Sequence, residues 1–133
     1  MTRARGDGWD AERLTRIDRA RELEIAPPRA GGGVGRWTPI WVVVVDDEVF
    51  VRTWYRRDTG WYGRAVRAGR ARIRVPGAVA DVRVEPVDSR PEAVDAAYRA
   101  KYGVGGAGSM TTVDAVATTL RLTPEGPQDA GVD

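Results

Sequence analysis

The chain has 133 residues, with 21 Lys and Arg against 19 Asp and Glu for a formal net charge of +2, and it contains neither His nor Cys. Those two absences exclude a Ser-His-Asp triad, a cysteine nucleophile, an imidazole acid or base, a disulfide framework and a zinc site of the usual nitrogen or sulfur type. The length allows one sizeable core and falls short of two typical domains. Only Lys101 is lysine, and the arginine excess is what GC-rich codon usage produces. The longest apolar run, 40–45, is of strand length, and no positively charged start leads into an apolar signal core. The expectation is a cytoplasmic protein with no membrane segment.

Residues 1–8 and 124–133 are rich in Gly, Pro and Asp and read as flexible tails around a single domain over 9–123. Asp10 is placed to cap a helix that carries Leu14, Ile17 and Ala20 three apart. A short strand over 22–25 follows, ended by Pro27, Pro28 and a glycine triplet. Residues 37–45 predict a strand covered on both faces, turning at Asp46 and Asp47 into a partner over 48–54. In that partner Val49 and Val51 point one way, and Phe50 and Arg52 the other. A helix is expected over 58–68 with Trp61, Ala65 and Ala68 near one face, stopped by Gly69. A second hairpin pairs 70–75 with 79–87 across Pro76 and Gly77. Ser89 and Glu92 have capping-box spacing around Pro91, opening a helix through Val94, Ala97, Tyr98 and Tyr102 to Gly103. After a Gly-rich loop, 117–122 supplies the last strand.

Hairpins separated by helices predict an antiparallel α+β domain, and about six strands in so short a chain close most economically into a small barrel. Between Arg52 and Arg83 nine arginines face two acidic residues, whereas residues 84–133 carry four basic and eight acidic groups. Trp54, Tyr55, Trp61 and Tyr62 are interleaved with those arginines. Arginine forks grip phosphate and stack on flat rings, so this window suits a phosphorylated aromatic ligand such as a flavin. It equally suits single-stranded nucleic acid stacked along a basic groove, or a core and dimer-interface role for the tryptophans. GGGVG (31–35) reads as a turn, because no buried parallel strand precedes it. Adjacent Asp46 and Asp47 read as hairpin-tip residues, not as a metal or acid/base site.

The stretch TPIWVVVVDDEVFVRTW (38–54), followed by RRDTGWYGRAVRAGRARIRV (56–75), resembles the core of the flavin-binding split-barrel superfamily, which includes pyridoxamine phosphate oxidase-like proteins and deazaflavin-dependent nitroreductases. More narrowly, residues 9–122 are similar to a bacterial family of unknown function, domain of unknown function 2255, through TPIWVV, VRTW, WYGRA, RIRV, DAAYRAKYG (95–103) and ATTLRL (117–122). The resemblance implies a homodimer binding FMN or a deazaflavin coenzyme and no metal. It implies either a cofactor-dependent oxidoreductase on a small molecule or a binding protein that has kept the fold; the alternative expectation, from the arginine and aromatic surface itself, is a non-enzymatic module that binds single-stranded nucleic acid or a protein partner. The resemblance implies a phosphate held by Arg52, Thr53, Arg56, Arg57 and Arg64, and a ring lying against Thr38, Pro39, Ile40 and Trp41, with Trp61 in the same aromatic window. Two departures stand out: Tyr62 occupies the place of a basic residue typical of the oxidases, and GGGVGR (31–36) does not match the basic phosphate loop of the deazaflavin enzymes.

Overall fold

The computed structural model describes residues 8–29, 31, 33, 35–53, 60–88 and 90–125. Residues 1–7 and 126–133, within the expected tails, lie outside the described residues, as do Ser89 of the expected capping box and Trp54, Tyr55, Arg56 and Arg57. Helix α1 (Ala11–Arg19) begins as its cap dictates. Asp10 accepts the amide of Arg13 at 2.8 Å and its Nε at 2.8 Å. Those bonds from Arg13 outweigh the opposing effect of burial and hold the Asp10 carboxyl below its ordinary pKa. Ile17 and Ala20 are buried, and Trp9 just upstream donates its indole N–H to the Leu122 carbonyl at 3.0 Å.

Strands β1 (Leu23–Ala26), β2 (Thr38–Ile40), β3 (Val43–Val45), β4 (Glu48–Val51), β5 (Arg70–Val75), β6 (Ala78–Pro86) and β7 (Leu120–Pro124) form one antiparallel sheet in the order β2-β1-β5-β6-β7-β4-β3. The turns obey local chemistry. Asp46 and Asp47 both take positive φ, 50° and 67°, the pair of left-handed residues that a two-residue type I′ hairpin needs. Gly77, φ 87°, follows Pro76 between β5 and β6. Helix α2 (Gly60–Ala68) ends at Gly69, φ 72°, whose amide donates to Ala65 O at 2.8 Å.

The strand expected over 37–45 is two strands, which brings the count to seven. β2 and β3 stand at opposite edges of the sheet order, yet only Trp41 and Val42 separate them in the chain. Three Cα steps reach no more than about 10 Å. The sheet must therefore curl until its edges nearly meet, which makes the split barrel, and residues 41–42 form its seam. Alternation nevertheless runs straight through. Ile40, Val42 and Val44 belong to the inner cluster with Leu23, Ile25, Val49, Val51, Ile73, Val82 and Leu122, to which α1 adds Ile17 and α2 adds Ala65. Trp41, Val43 and Val45 belong to a second cluster outside the sheet, with Phe50, Val94, Tyr98 and Met110.

The outer cluster is covered by α3 (Pro91–Gly106), whose helical geometry breaks at Gly103 (φ 84°, ψ 155°). The expected Gly-rich loop contains a 3-10 turn (Ala107–Met110) and the short helix α4 (Val113–Val116), capped by Thr112. The last strand consequently starts three residues later than expected. Thr118 and Thr119 close α4 instead, donating to Ala115 O at 2.6 Å and Val116 O at 2.7 Å.

Candidate functional site

Arg52 follows β4 on the side of Phe50, as the alternation predicted, and that places it under α3 with no solvent exposure. Its Nε donates to Thr119 Oγ1 at 2.9 Å, and its Nη1 donates to Asp95 Oδ1 at 2.6 Å and to Met110 O at 2.7 Å. Its guanidinium carbon lies 5.6 Å from the centroid of the Tyr98 ring. Arg52 Nη2 and the Tyr98 hydroxyl are both buried with no hydrogen-bond partner among the described residues. Burial pushes the Tyr98 phenol well above its ordinary pKa, and the adjacent Arg52 offsets only part of that. A fully desolvated guanidinium held by a carboxylate and two further oxygens locks α3 to the sheet, and it presents no donor to solvent.

The seam is held from the same helix. The Tyr102 hydroxyl accepts from Val42 N at 3.1 Å and donates to Arg21 O at 2.8 Å, while Lys101 Nζ donates to Val42 O at 2.9 Å. Side chains of α3 thus satisfy the backbone of Val42 where the strand breaks. The Tyr102 ring stacks on Trp41 with centroids 4.1 Å apart and planes 2° from parallel, and Arg21 and Lys101 lie 5.6 and 5.4 Å from its centroid. Burial lowers the pKa of Lys101, which Asp18 counteracts and Arg21 reinforces. Burial likewise raises that of Tyr102.

The other expected residues sit elsewhere. Thr53 is buried, and its amide donates to Thr118 Oγ1 at 3.0 Å, so a threonine side chain continues the β4–β7 ladder beyond Val51 and Leu120. Ile40 points into the inner cluster, Thr38 is half-buried and Pro39 is exposed on the edge strand β2. Trp61 and Tyr62 meet edge to face, 5.6 Å between centroids, and pack half-buried on the inner cluster. Arg64 is exposed on α2 and makes no ion pair or hydrogen bond with any described residue. Arg56 and Arg57 fall outside the described residues, between Thr53 and α2. The structure therefore gathers Trp41 and Arg52 around Tyr98 and Tyr102 outside the sheet, and puts Trp61 and Arg64 on a different helix. Sequence reasoning missed Asp95, Met110 and Thr119 as Arg52 partners, since they lie 43 to 67 positions away. The one available signal was the DAAYRAKY run, whose Asp95, Tyr98 and Tyr102 recur at helical spacing on one face.

Among the described residues no group of three or more side chains could hold a metal ion, and no helix is long and apolar enough to cross a membrane. A curled seven-stranded antiparallel sheet with a helix clamped over its seam side is a split barrel of the α+β class. The chain belongs to the family of uncharacterized proteins conserved in bacteria, DUF2255, whose model matches residues 13–122. No curated protein matches it significantly. Among solved structures it is similar to the conserved hypothetical protein Rv2991 of Mycobacterium tuberculosis (TM-score 0.55, 18% identity, covering 94% of this chain and 86% of that one). The FAD and heme binding protein of Mycobacterium smegmatis also shares the fold (TM-score 0.58, 17% identity, 90% of this chain and 67% of that one). So does the Agrobacterium tumefaciens protein Atu2129 of unknown function (TM-score 0.59, 15% identity, 88% of this chain), of which this chain spans 53%.

Proposed function

We propose that the protein binds a flavin-type cofactor, FMN or a deazaflavin, as a homodimer, and serves as a cofactor-dependent oxidoreductase on a small molecule. The observation that carries this reading is the fold shared with the Mycobacterium smegmatis protein that binds FAD and heme. The residues present fit the phosphate end of such a group. Arg64 offers an exposed guanidinium that is not engaged by any described residue, one turn beyond the half-buried ring of Trp61. Arg56 and Arg57 complete the clamp in this reading, and Thr53 ends the strand that leads to it. The buried engagement of Arg52 makes it the scaffold of the clamp, with contact to phosphate left to the other arginines. In this reading the ring lies near Trp41, whose indole is held in place by its stack on Tyr102.

When bound, a flavin or deazaflavin supplies hydride chemistry that a chain without His or Cys does not provide itself. The chain's own part is to grip phosphate and exclude water. The test is a titration of the purified full-length protein with FMN and with a deazaflavin, followed by fluorescence. Binding at micromolar Kd or tighter is expected, weakened about tenfold or more in R64Q. Absence of binding to either refutes the reading, and light scattering checks the dimer. The nucleic-acid reading draws less support, because Arg72, Arg74 and Arg121 of the basic strands are each paired with a carboxylate.

A further inference from the structure

The outward face of β5, β6 and β7 carries five arginines at alternate positions. Arg72 pairs with Asp81 at 2.8 Å. Arg74 pairs with Glu24 at 2.6 Å and lies 4.0 Å from the Trp37 ring. Arg121 reaches Glu85 at 3.1 Å and Glu48 at 3.5 Å. The remaining two, Arg70 and Arg83, are directly opposite each other in the register, and neither makes an ion pair or a hydrogen bond with any described residue. The carboxylates that flank Arg83 on β6 and stand diagonal to Arg70, Asp81 and Glu85, are already engaged by Arg72 and Arg121. Thr123 stands beside Arg83 on β7.

Cross-strand neighbours of this kind have Cβ atoms about 5 Å apart, and like charges so placed destabilise a sheet. Two exposed guanidinium forks at that spacing, beside a hydroxyl, can close on opposite edges of one tetrahedral dianion. Arg70 also lines an open groove with Ala26, Pro28, Gly33, Arg72, Asp81 and Glu125, which gives a ligand a wall to lie along. From these observations we infer that Arg70 and Arg83, with Thr123, form an anion site for a single phosphoryl group, free or carried on a small molecule. Among the described residues, unneutralised positive charge on this face is confined to the pair and flanked by carboxylates, so the face favours a compact dianion over an extended polyanion. The site lies beyond the C-terminal end of α2 and is independent of the cofactor reading, which rests on Arg64 and the segment before it.

The full-length protein in phosphate-free, low-salt buffer is titrated with sodium phosphate, with sodium chloride at equal ionic strength as the control. The readouts are the arginine Nε–H signals by NMR and the Tm. Saturable shifts confined to Arg70, Arg83 and the Thr123 amide are expected, together with a Tm that rises with phosphate. R70Q and R83Q should each weaken phosphate binding by about tenfold or more. Their Tm without phosphate should be unchanged or higher, because the like-charge contact is gone. Glycerol phosphate binding as tightly as inorganic phosphate assigns the site to a phosphorylated small molecule, and weaker binding assigns it to free phosphate. Shifts that are absent, that match chloride, or that persist in both variants overturn the site. A lower Tm of both variants in phosphate-free buffer does the same, since it marks a structural role. Tighter, steeply salt-dependent binding of a single-stranded oligonucleotide to the same residues overturns the assignment to a compact anion.

Discussion

Replacing Asp95 by alanine leaves the Arg52 guanidinium buried without its counter-charge. Arg52 has no exposed surface, while the Asp95 side chain is 20% exposed and their N–O distance is 2.6 Å. Removing one partner of a buried pair costs about 3–5 kcal/mol. The partial exposure of Asp95, and the two acceptors Arg52 keeps in Thr119 Oγ1 and Met110 O, bring the expectation for D95A to about 2–3 kcal/mol. At this chain length that is a fall in Tm of roughly 6–12 °C. R52M removes the charge itself and fills most of the space. It leaves Asp95 able to hydrate and Met110 O without a donor, for about 1–2 kcal/mol. The double variant has no buried charge left uncompensated, so it should be no less stable than D95A alone. Urea unfolding of the four proteins, with m-values compared, measures the cycle. A D95A cost below about 0.5 kcal/mol, or a double variant whose loss equals the sum of the singles, refutes the claim that this ion pair clamps α3 to the sheet.

Tyr102→Phe deprives Val42 N of its acceptor at the seam and should cost about 1–2 kcal/mol, with faster hydrogen exchange at that amide as the local signature. Tyr98 sets an alkaline limit. Its pKa is raised by burial above the ordinary 10.0, so the unfolded chain loses this proton first as pH rises. The stability it contributes is complete below pH 10 and falls as pH climbs beyond it. Y98F should flatten that alkaline decline and, having removed an unpartnered buried hydroxyl, should be neutral or stabilising near pH 7. Asp47 holds a φ of 67° in the β3–β4 turn, so Asp47→Gly should raise stability by about 0.5–1 kcal/mol in urea unfolding.

Local rules determined much of this protein. Asp10 as a cap, Gly69 as a stop, the two-Asp turn and the alternation of Val49, Phe50, Val51 and Arg52 are all legible in the chain, because each depends on neighbours within a few residues. So was the absence of His and Cys, which limits the chemistry the side chains can perform. The unbroken apolar run also showed that residues 40–45 are covered on both faces.

Periodicity could not show that this run changes partners halfway, because the pattern of two is the same on either side of the seam while the hydrogen bonds pass from β1 to β4. Only sheet closure decided that, and it decided Arg52 as well. Seen in sequence, Arg52 is one of nine arginines in a basic window. Long-range pairing with Asp95, Met110 and Thr119 turned it into a buried clamp, while cross-strand register set Arg70 against Arg83. The charge of an arginine is written in the chain, but its solvation and its partners come from residues tens of positions away, and those are brought near only by the closed sheet.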